Sequence, residues 1–241
     1  MSVEYDGLAE AYGRYRKCHP SVLRDIVTSG ALTKESRVLE IGAGTGNYVA
    51  ALSELVGCAC SAVEPSDGMR AIAATNAKGV EVKAGRAEEL PFEAESFDLA
   101  FCVNVVHHVT DRRAFFREAF RVLRSDGSLC IATESHDMIR KRFVLSEYFP
   151  ETADVDIVRY STVADLRTMA DAAGFTEWHA ALANADVTVE SADVYEAKAF
   201  SCLHLIPQAA FEVGLRRLKE ALRRGPLRAT VAAFVMLWAT K

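Results

Sequence analysis

From residue 37 onward the chain alternates short apolar runs with segments whose apolar residues recur at helical spacing, as parallel strands joined by covering helices do. Residues 38–41, 59–64, 80–84, 97–103 and 128–133 read as five strands. Residues 48–56, 67–76 and 112–123 read as the helices between them, with Arg124-Ser125-Asp126-Gly127 turning the chain into the fifth strand. This predicts an α/β fold, a doubly wound parallel sheet with helices on both faces. After Thr133 the alternation stops. Residues 136–159 are polar, aromatic and poor in strand signals, and a segment of that length in a compact domain predicts a functional lid. A helix over 162–173 ends at Gly174, and Phe175 leads into a sixth strand. Helical stretches follow around 194–205 and 209–223, and the β-rich run 230–240 predicts a seventh strand returning to the sheet. There is no internal repeat and no low-complexity linker.

With 241 residues, 50% of them apolar and 25% charged, the chain suits one globular α/β domain and excludes a disordered or fibrous class. A net charge of −5 gives no global attraction for nucleic acid. The basic residues Arg216, Arg217, Lys219, Arg223, Arg224 and Arg228 follow a helical pattern and read as a solvated face. The first residues carry Glu4 and Asp6 rather than a signal-peptide pattern, and the run 231–239 is about half the length of a bilayer-spanning helix. The expectation is a cytoplasmic protein without a membrane partner. Six cysteines include no C-x-x-C pair and no zinc spacing, so no metal is expected. Cys102 and Cys130 fall in strands and Cys58 at the edge of one, as small buried hydrophobes. Cys58 and Cys60, on one sheet face, are the rival reading as a thiolate site for a soft element.

The strongest chemical signal is Val38-Leu39-Glu40-Ile41-Gly42-Ala43-Gly44-Thr45-Gly46-Asn47, a strand running through a glycine loop into a helix. Glycines there let a nucleotide-type cofactor approach the backbone without Cβ interference. A dinucleotide fingerprint wants its third glycine where Asn47 stands, and the glycine is at Gly46 instead, which counts against NAD. The segment resembles the first motif of the class I S-adenosylmethionine-dependent methyltransferases, in the small-molecule (type 11-like) subgroup. In that family this loop wraps the amino-acid part of the donor.

The resemblance implies a Rossmann-like sheet of seven mostly parallel strands with the last antiparallel, an N-terminal helical cover over 1–35 and a donor-binding core over 36–133. It further implies a substrate lid over 134–160 and a C-terminal part over 161–241. Glu40, Gly42, Ala43 and Gly44 become donor-binding candidates. Glu64, about 20 residues past the loop, is placed to accept hydrogen bonds from both ribose hydroxyls, and Pro65 to Met69 resembles the family's following turn, with Pro65 a donor-binding candidate and Met69 placed to pack against adenine. Gly85 to Phe92 resembles the adenine-edge motif. Family members often carry an acid where Arg86 stands; with Arg86 at that position the usual contact to the adenine amino group is not implied, and a backbone amide at Ala87 or Glu88 is left to bind a ring nitrogen. Asn104 and Val105 follow the fourth strand, where open sheets put ligands. His107 and His108 are candidates to deprotonate an acceptor, with helix capping or pocket lining as the alternative. Residues 12–20 resemble the cover of the subgroup, in which an aromatic and a basic side chain, here Tyr15 and Arg16, fold over the donor. Tyr12 is equally well read as helix packing. On the acceptor side Arg142, Phe143, Tyr148, Phe149 and Tyr160 suit an aromatic or anionic small molecule. The expected function is methyl transfer from S-adenosylmethionine to a small molecule. An NAD(P)-dependent oxidoreductase and a non-catalytic donor-binding module are the alternatives, and oligomeric state is left open.

Overall fold

The computed structural model describes residues 9–241; the first eight residues of the expected cover lie outside the described residues. Seven strands form one sheet: β1 (Arg37–Ile41), β2 (Ala59–Glu64), β3 (Glu81–Ala84), β4 (Phe97–Val103), β5 (Leu123–Thr133), β6 (Thr176–Val189) and β7 (Leu227–Thr240). Their order is β3-β2-β1-β4-β5-β7-β6. β1 to β5 pair in parallel, and β7 runs antiparallel to both β5 and β6. This is the Rossmann-like arrangement expected from the sequence.

Eleven helices accompany it among the described residues: α1 (Ala9–Tyr15), α2 (Pro20–Ser29), α3 (Asn47–Val56), α4 (Asp67–Asn76), α5 (Arg112–Val122), α6 (His136–Arg140), α7 (Leu145–Tyr148), α8 (Glu151–Arg159), α9 (Val163–Ala173), α10 (Asp193–Glu196) and α11 (Gln208–Leu222). Their starts follow local chemistry. Ser66, Asp111, Ser135 and Thr162 each accept a first-turn backbone N–H, from Met69, Ala114, Met138 and Asp165. Pro20 opens α2, where its missing N–H costs no helical hydrogen bond.

Because helices cover both sheet faces, the central strands bury both sides and read as unbroken apolar runs. Along β1, Val38 points into a core with Val22, Ile26, Leu52 and Phe101, while Leu39 and Ile41 point into a core with Phe115, Phe116, Leu129 and Leu166. A third core lies beyond the sheet, where Val144, Leu145, Phe149, Tyr195, Leu203, Phe211 and Leu218 join the ends of β6 and β7 to α7, α10 and α11.

Three expectations shift in detail. β5 begins at Leu123, so the stretch read as a turn is an irregularity inside a longer strand; Asp126 has φ +64° and the register slips between Phe97 and Leu99. The helix expected over 194–205 is broken, with Lys198 at φ +48° between α10 and a 3-10 turn at Ser201–His204. Residues 136–159 fold into the three short helices α6 to α8.

Candidate active site

The strand order reverses between β1 and β4, the position at which open α/β sheets bind ligands beyond the strands' carboxyl ends. The chain leaves β1 through Gly42, Gly44 and Gly46, at φ +72°, +55° and +75°. The Gly42 and Ala43 N–H groups donate to the Val63 carbonyl at 2.8 and 3.1 Å, pinning the loop to β2. A Cβ on Gly42 would stand 2.6 Å from Val105, so only glycine fits there; a Cβ on Gly44 would meet nothing within 4 Å. Glu64 closes the other side of the loop. One of its carboxylate oxygens accepts the Gly44 N–H at 2.9 Å and the other the Ser66 N–H at 3.0 Å. Glu40 accepts the Val49 N–H at 2.9 Å, which ties α3 to β1. Burial pushes its carboxyl well above the usual carboxylate range against that hydrogen bond, and the nearby Glu64 adds to the rise.

These groups border a cavity of about 800 Å³, a size typical of small-molecule sites. Tyr15, Arg16, Glu40, Gly42, Ala43, Gly44, Glu64, Pro65, Met69, Asn104, Val105, His107, His108, Arg142 and Tyr160 all line it. A second cavity of about 780 Å³ shares Gly42, Pro65, Val105, His107 and His108 with the first and is lined by Arg86, Ala87 and Glu88. The Arg86 side chain is mainly in solvent, 3.6 Å from Glu88, and Glu88 accepts the Thr110 N–H at 3.0 Å.

Between the glycine loop and the far wall stand Asn104 and His107. Asn104 has φ +56° and donates its N–H to the Ala132 carbonyl at 2.9 Å. Its Oδ1 and the His107 Nδ1 are buried without a hydrogen-bond partner among the described residues, an uncommon state for polar atoms in a folded protein. The His107 ring stacks on Tyr160 at 3.9 Å and leans on His108. Burial holds the His107 imidazole well below the usual histidine range, and His108, Arg159, Arg142 and Arg112 act in the same direction. His107 is therefore neutral. His108 instead accepts an Arg159 N–H on its Nδ1 at 3.3 Å.

Arg142 does not offer a spare charge to the cavity. It makes a two-pronged pair with Glu134, both contacts at 2.7 Å, and donates to Asp156 at 2.5 Å. Arg159 pairs with the other Asp156 oxygen at 2.8 Å. Tyr148 and Phe149, expected to face the acceptor, do not line the cavity. Phe149 is buried against Tyr195 and Phe211, with ring centroids 6.0 and 5.8 Å apart, and Tyr148 lies under the Arg217 guanidinium. The reason is α11, which crosses α7 so closely at Gly214 that a Cβ there would stand 2.5 Å from the Phe149 ring.

The sequence reading missed much of the far wall: Glu134, Val187, Val194, Tyr195, Phe200, Cys202 and the β7 stretch from Thr230 to Phe234. Glu134 had a signal, since it directly follows the carboxyl end of β5. The others had none: Val187 and the β7 residues reach the cavity through the part of the β6–β7 pairing that extends past β5, and Val194, Tyr195, Phe200 and Cys202 come from α10 and the residues that follow it. The N-terminal segment closes the near side. The Arg16 guanidinium lies 5.8 Å from the Tyr12 ring centroid and 4.9 Å from that of Phe200, and Asn47 Nδ2 donates to the Arg16 carbonyl at 2.9 Å.

Comparison with known proteins gives this geometry its family. A family model of a methyltransferase domain matches residues 39–131. An uncharacterised methyltransferase of Staphylococcus carnosus is 33% identical over 153 residues, covering 60% of this chain and 72% of that protein. The uncharacterised methyltransferase YcgJ of Bacillus subtilis is 35% identical over 142 residues, which cover 56% of this chain and 55% of YcgJ. A solved structure of a candidate methyltransferase from an antibiotic biosynthesis pathway of Anabaena variabilis shares the fold, with a TM-score of 0.75, 24% identity and coverage of 94% of this chain and 99% of that one. The chain belongs to the class I S-adenosylmethionine-dependent methyltransferases. The cofactor of that family is S-adenosylmethionine. No described helix is long and apolar enough to cross a membrane.

Proposed function

We propose that this protein methylates a small molecule held in the 800 Å³ cavity, with donor and acceptor brought into line between the glycine loop and the far wall. The observation that carries the reading is that one cavity joins the Gly42–Gly44 loop and Glu64 to the ring of Tyr160, His107 and Phe234. The loop fits the donor. Gly44 leaves open the space a side chain would fill, and Glu64 presents a carboxylate held by two backbone N–H groups, suited to ribose hydroxyls. Pro65, Met69 and Val105 form apolar walls, and the backbone at Ala87 and Glu88, with Arg86 beside it, borders the adjoining cavity, suited to the adenine edge. Tyr15 and Arg16 close over the near side and exclude water.

Bound S-adenosylmethionine supplies an electrophilic methyl group on its sulfonium. The protein's part is to align the acceptor and handle its proton. His107 is the candidate for the second task, because its buried Nδ1 takes a hydrogen bond from an acceptor O–H or N–H. His108, engaged by Arg159, serves as wall. The segments over 9–35 and 134–160 act as cover and lid. Calorimetry with S-adenosylmethionine, S-adenosylhomocysteine and NAD(P)H tests the donor assignment. Micromolar affinity for the first two and none for the nicotinamides is expected; the reverse overturns it.

A further inference from the structure

Resting on the reading of the far part of the cavity as the acceptor chamber, we infer that the acceptor is an uncharged, predominantly apolar molecule whose one hydrogen-donating group lies beside Asn104 and His107. Arg16 and Lys17 reach the cavity from the N-terminal segment, which the proposed function places over the donor, whereas the charged side chains beyond it are spent on ion pairs. Arg142, Arg159, Glu134 and Asp156 form a group of two guanidiniums and two carboxylates, neutral in sum, joined by contacts of 2.5 to 2.8 Å. Asp156 is 2% exposed, and the Arg142, Arg159 and Glu134 side chains are 9%, 10% and 15% exposed. Drawing any member toward an external charge would leave its partner buried and uncompensated, a large cost. At the rim, Lys141 and Asp137 pair with each other in solvent at 2.9 Å.

Two of the aromatic rings that could face a cation, Tyr160 and Phe200, are already occupied. Tyr160 is covered by His107 on stacking and by the Arg142 guanidinium at 5.5 Å, and Phe200 by Arg16. What remains on the wall is apolar: Phe143, Leu145, Val187, Val194, Val231 and Phe234. Against this surface an apolar body gains by leaving water, whereas an ionised one loses its hydration with no partner in return. Asn104 Oδ1 and His107 Nδ1, buried without a partner among the described residues, are the exception, and the single polar group belongs on their side of the chamber.

Three probes sharing one ring system decide it: 2-naphthol, 2-naphthoate and 2-naphthylmethylammonium, each titrated calorimetrically into the wild-type protein with and without S-adenosylhomocysteine. Naphthol is expected to bind at least about tenfold tighter than either ion, since only the ions must shed hydration unpaired. Val187→Lys, with its fold checked by circular dichroism, is expected to lose naphthol binding. An ion that binds as tightly as naphthol, no binding of naphthol in the millimolar range, or naphthol affinity unchanged in a folded Val187→Lys protein each overturns the inference. Absence of S-adenosylhomocysteine binding would overturn the donor assignment instead, and the titrations made without it would still judge the chamber.

Discussion

The donor side of the cavity is made from strand ends and the turns that follow them, within residues 40–105, whereas the acceptor side collects Glu134, Tyr160, Val187, Tyr195 and Phe234 from across the C-terminal half. On the donor side each fixing bond starts from a backbone N–H: Gly42 to Val63, Gly44 to Glu64, Ser66 to Glu64 and Val49 to Glu40. On the acceptor side the fixing contacts are between side chains, in the ion group around Arg142 and the aromatic stack of Phe149, Tyr195 and Phe211. The difference teaches that the first half is set by backbone hydrogen bonding between strand ends and the second by side-chain packing. A family can keep the one and vary the other on the same scaffold.

The largest expected effect falls on the packed half. Phe149→Ala removes a ring with no solvent exposure and should destabilise the protein by about 3–5 kcal/mol. Urea unfolding with unchanged m-value would measure it; a loss below about 1 kcal/mol, with altered acceptor kinetics, would restore Phe149 to the acceptor surface. On the donor half, Gly44→Val puts a β-branched side chain into the open cavity at a backbone φ of +55°, so the loop is strained locally and donor binding should weaken by on the order of a hundredfold or more in a variant whose fold is checked by circular dichroism. Retained affinity in a folded variant would show that the loop does not cradle the donor.

A smaller loss is expected for Glu64→Ala, about 1.5–3 kcal/mol of S-adenosylmethionine affinity by calorimetry, the range for hydrogen bonds to a charged group. Since Glu64 also holds Gly44 and Ser66, the loop's amide exchange should quicken in the same variant. If exchange quickens while affinity stays, the carboxylate braces the loop without touching the donor.

The smallest effect sits where the halves meet. The folded His107 imidazole resists protonation, whereas in the unfolded chain it titrates near 6.5. Above that pH both states hold it neutral and it adds nothing to the pH dependence. As pH falls below about 6.5 the unfolded state takes up a proton that the folded state refuses, so stability drops by up to about 1.4 kcal/mol per pH unit. His107→Gln should flatten the stability curve between pH 6.5 and 4.5 relative to wild type. Parallel curves would mean that His107 is protonated in the folded protein and is not a neutral hydrogen-bond acceptor.

The sequence by itself determined the strand and helix alternation, the glycine loop and the position of Glu64 at the end of the second strand. These are written in patterns that repeat over two to four residues or in motifs spaced by about 20, with turn and cap chemistry at their edges. Tertiary structure decided the rest. Phe149 and Tyr160, eleven positions apart on the same stretch, carry the same apolar-aromatic signal, yet α11 crossing at Gly214 turns Phe149 into the third core while Tyr160 faces the cavity. Arg142 reads as a spare cation until folding brings Glu134 and Asp156 to it. Val187 and Phe234 reach the chamber because β6 and β7 pair beyond the end of β5. Burial tells a side chain to leave water, but which buried surface it joins depends on partners that the sequence places far away and only packing brings near.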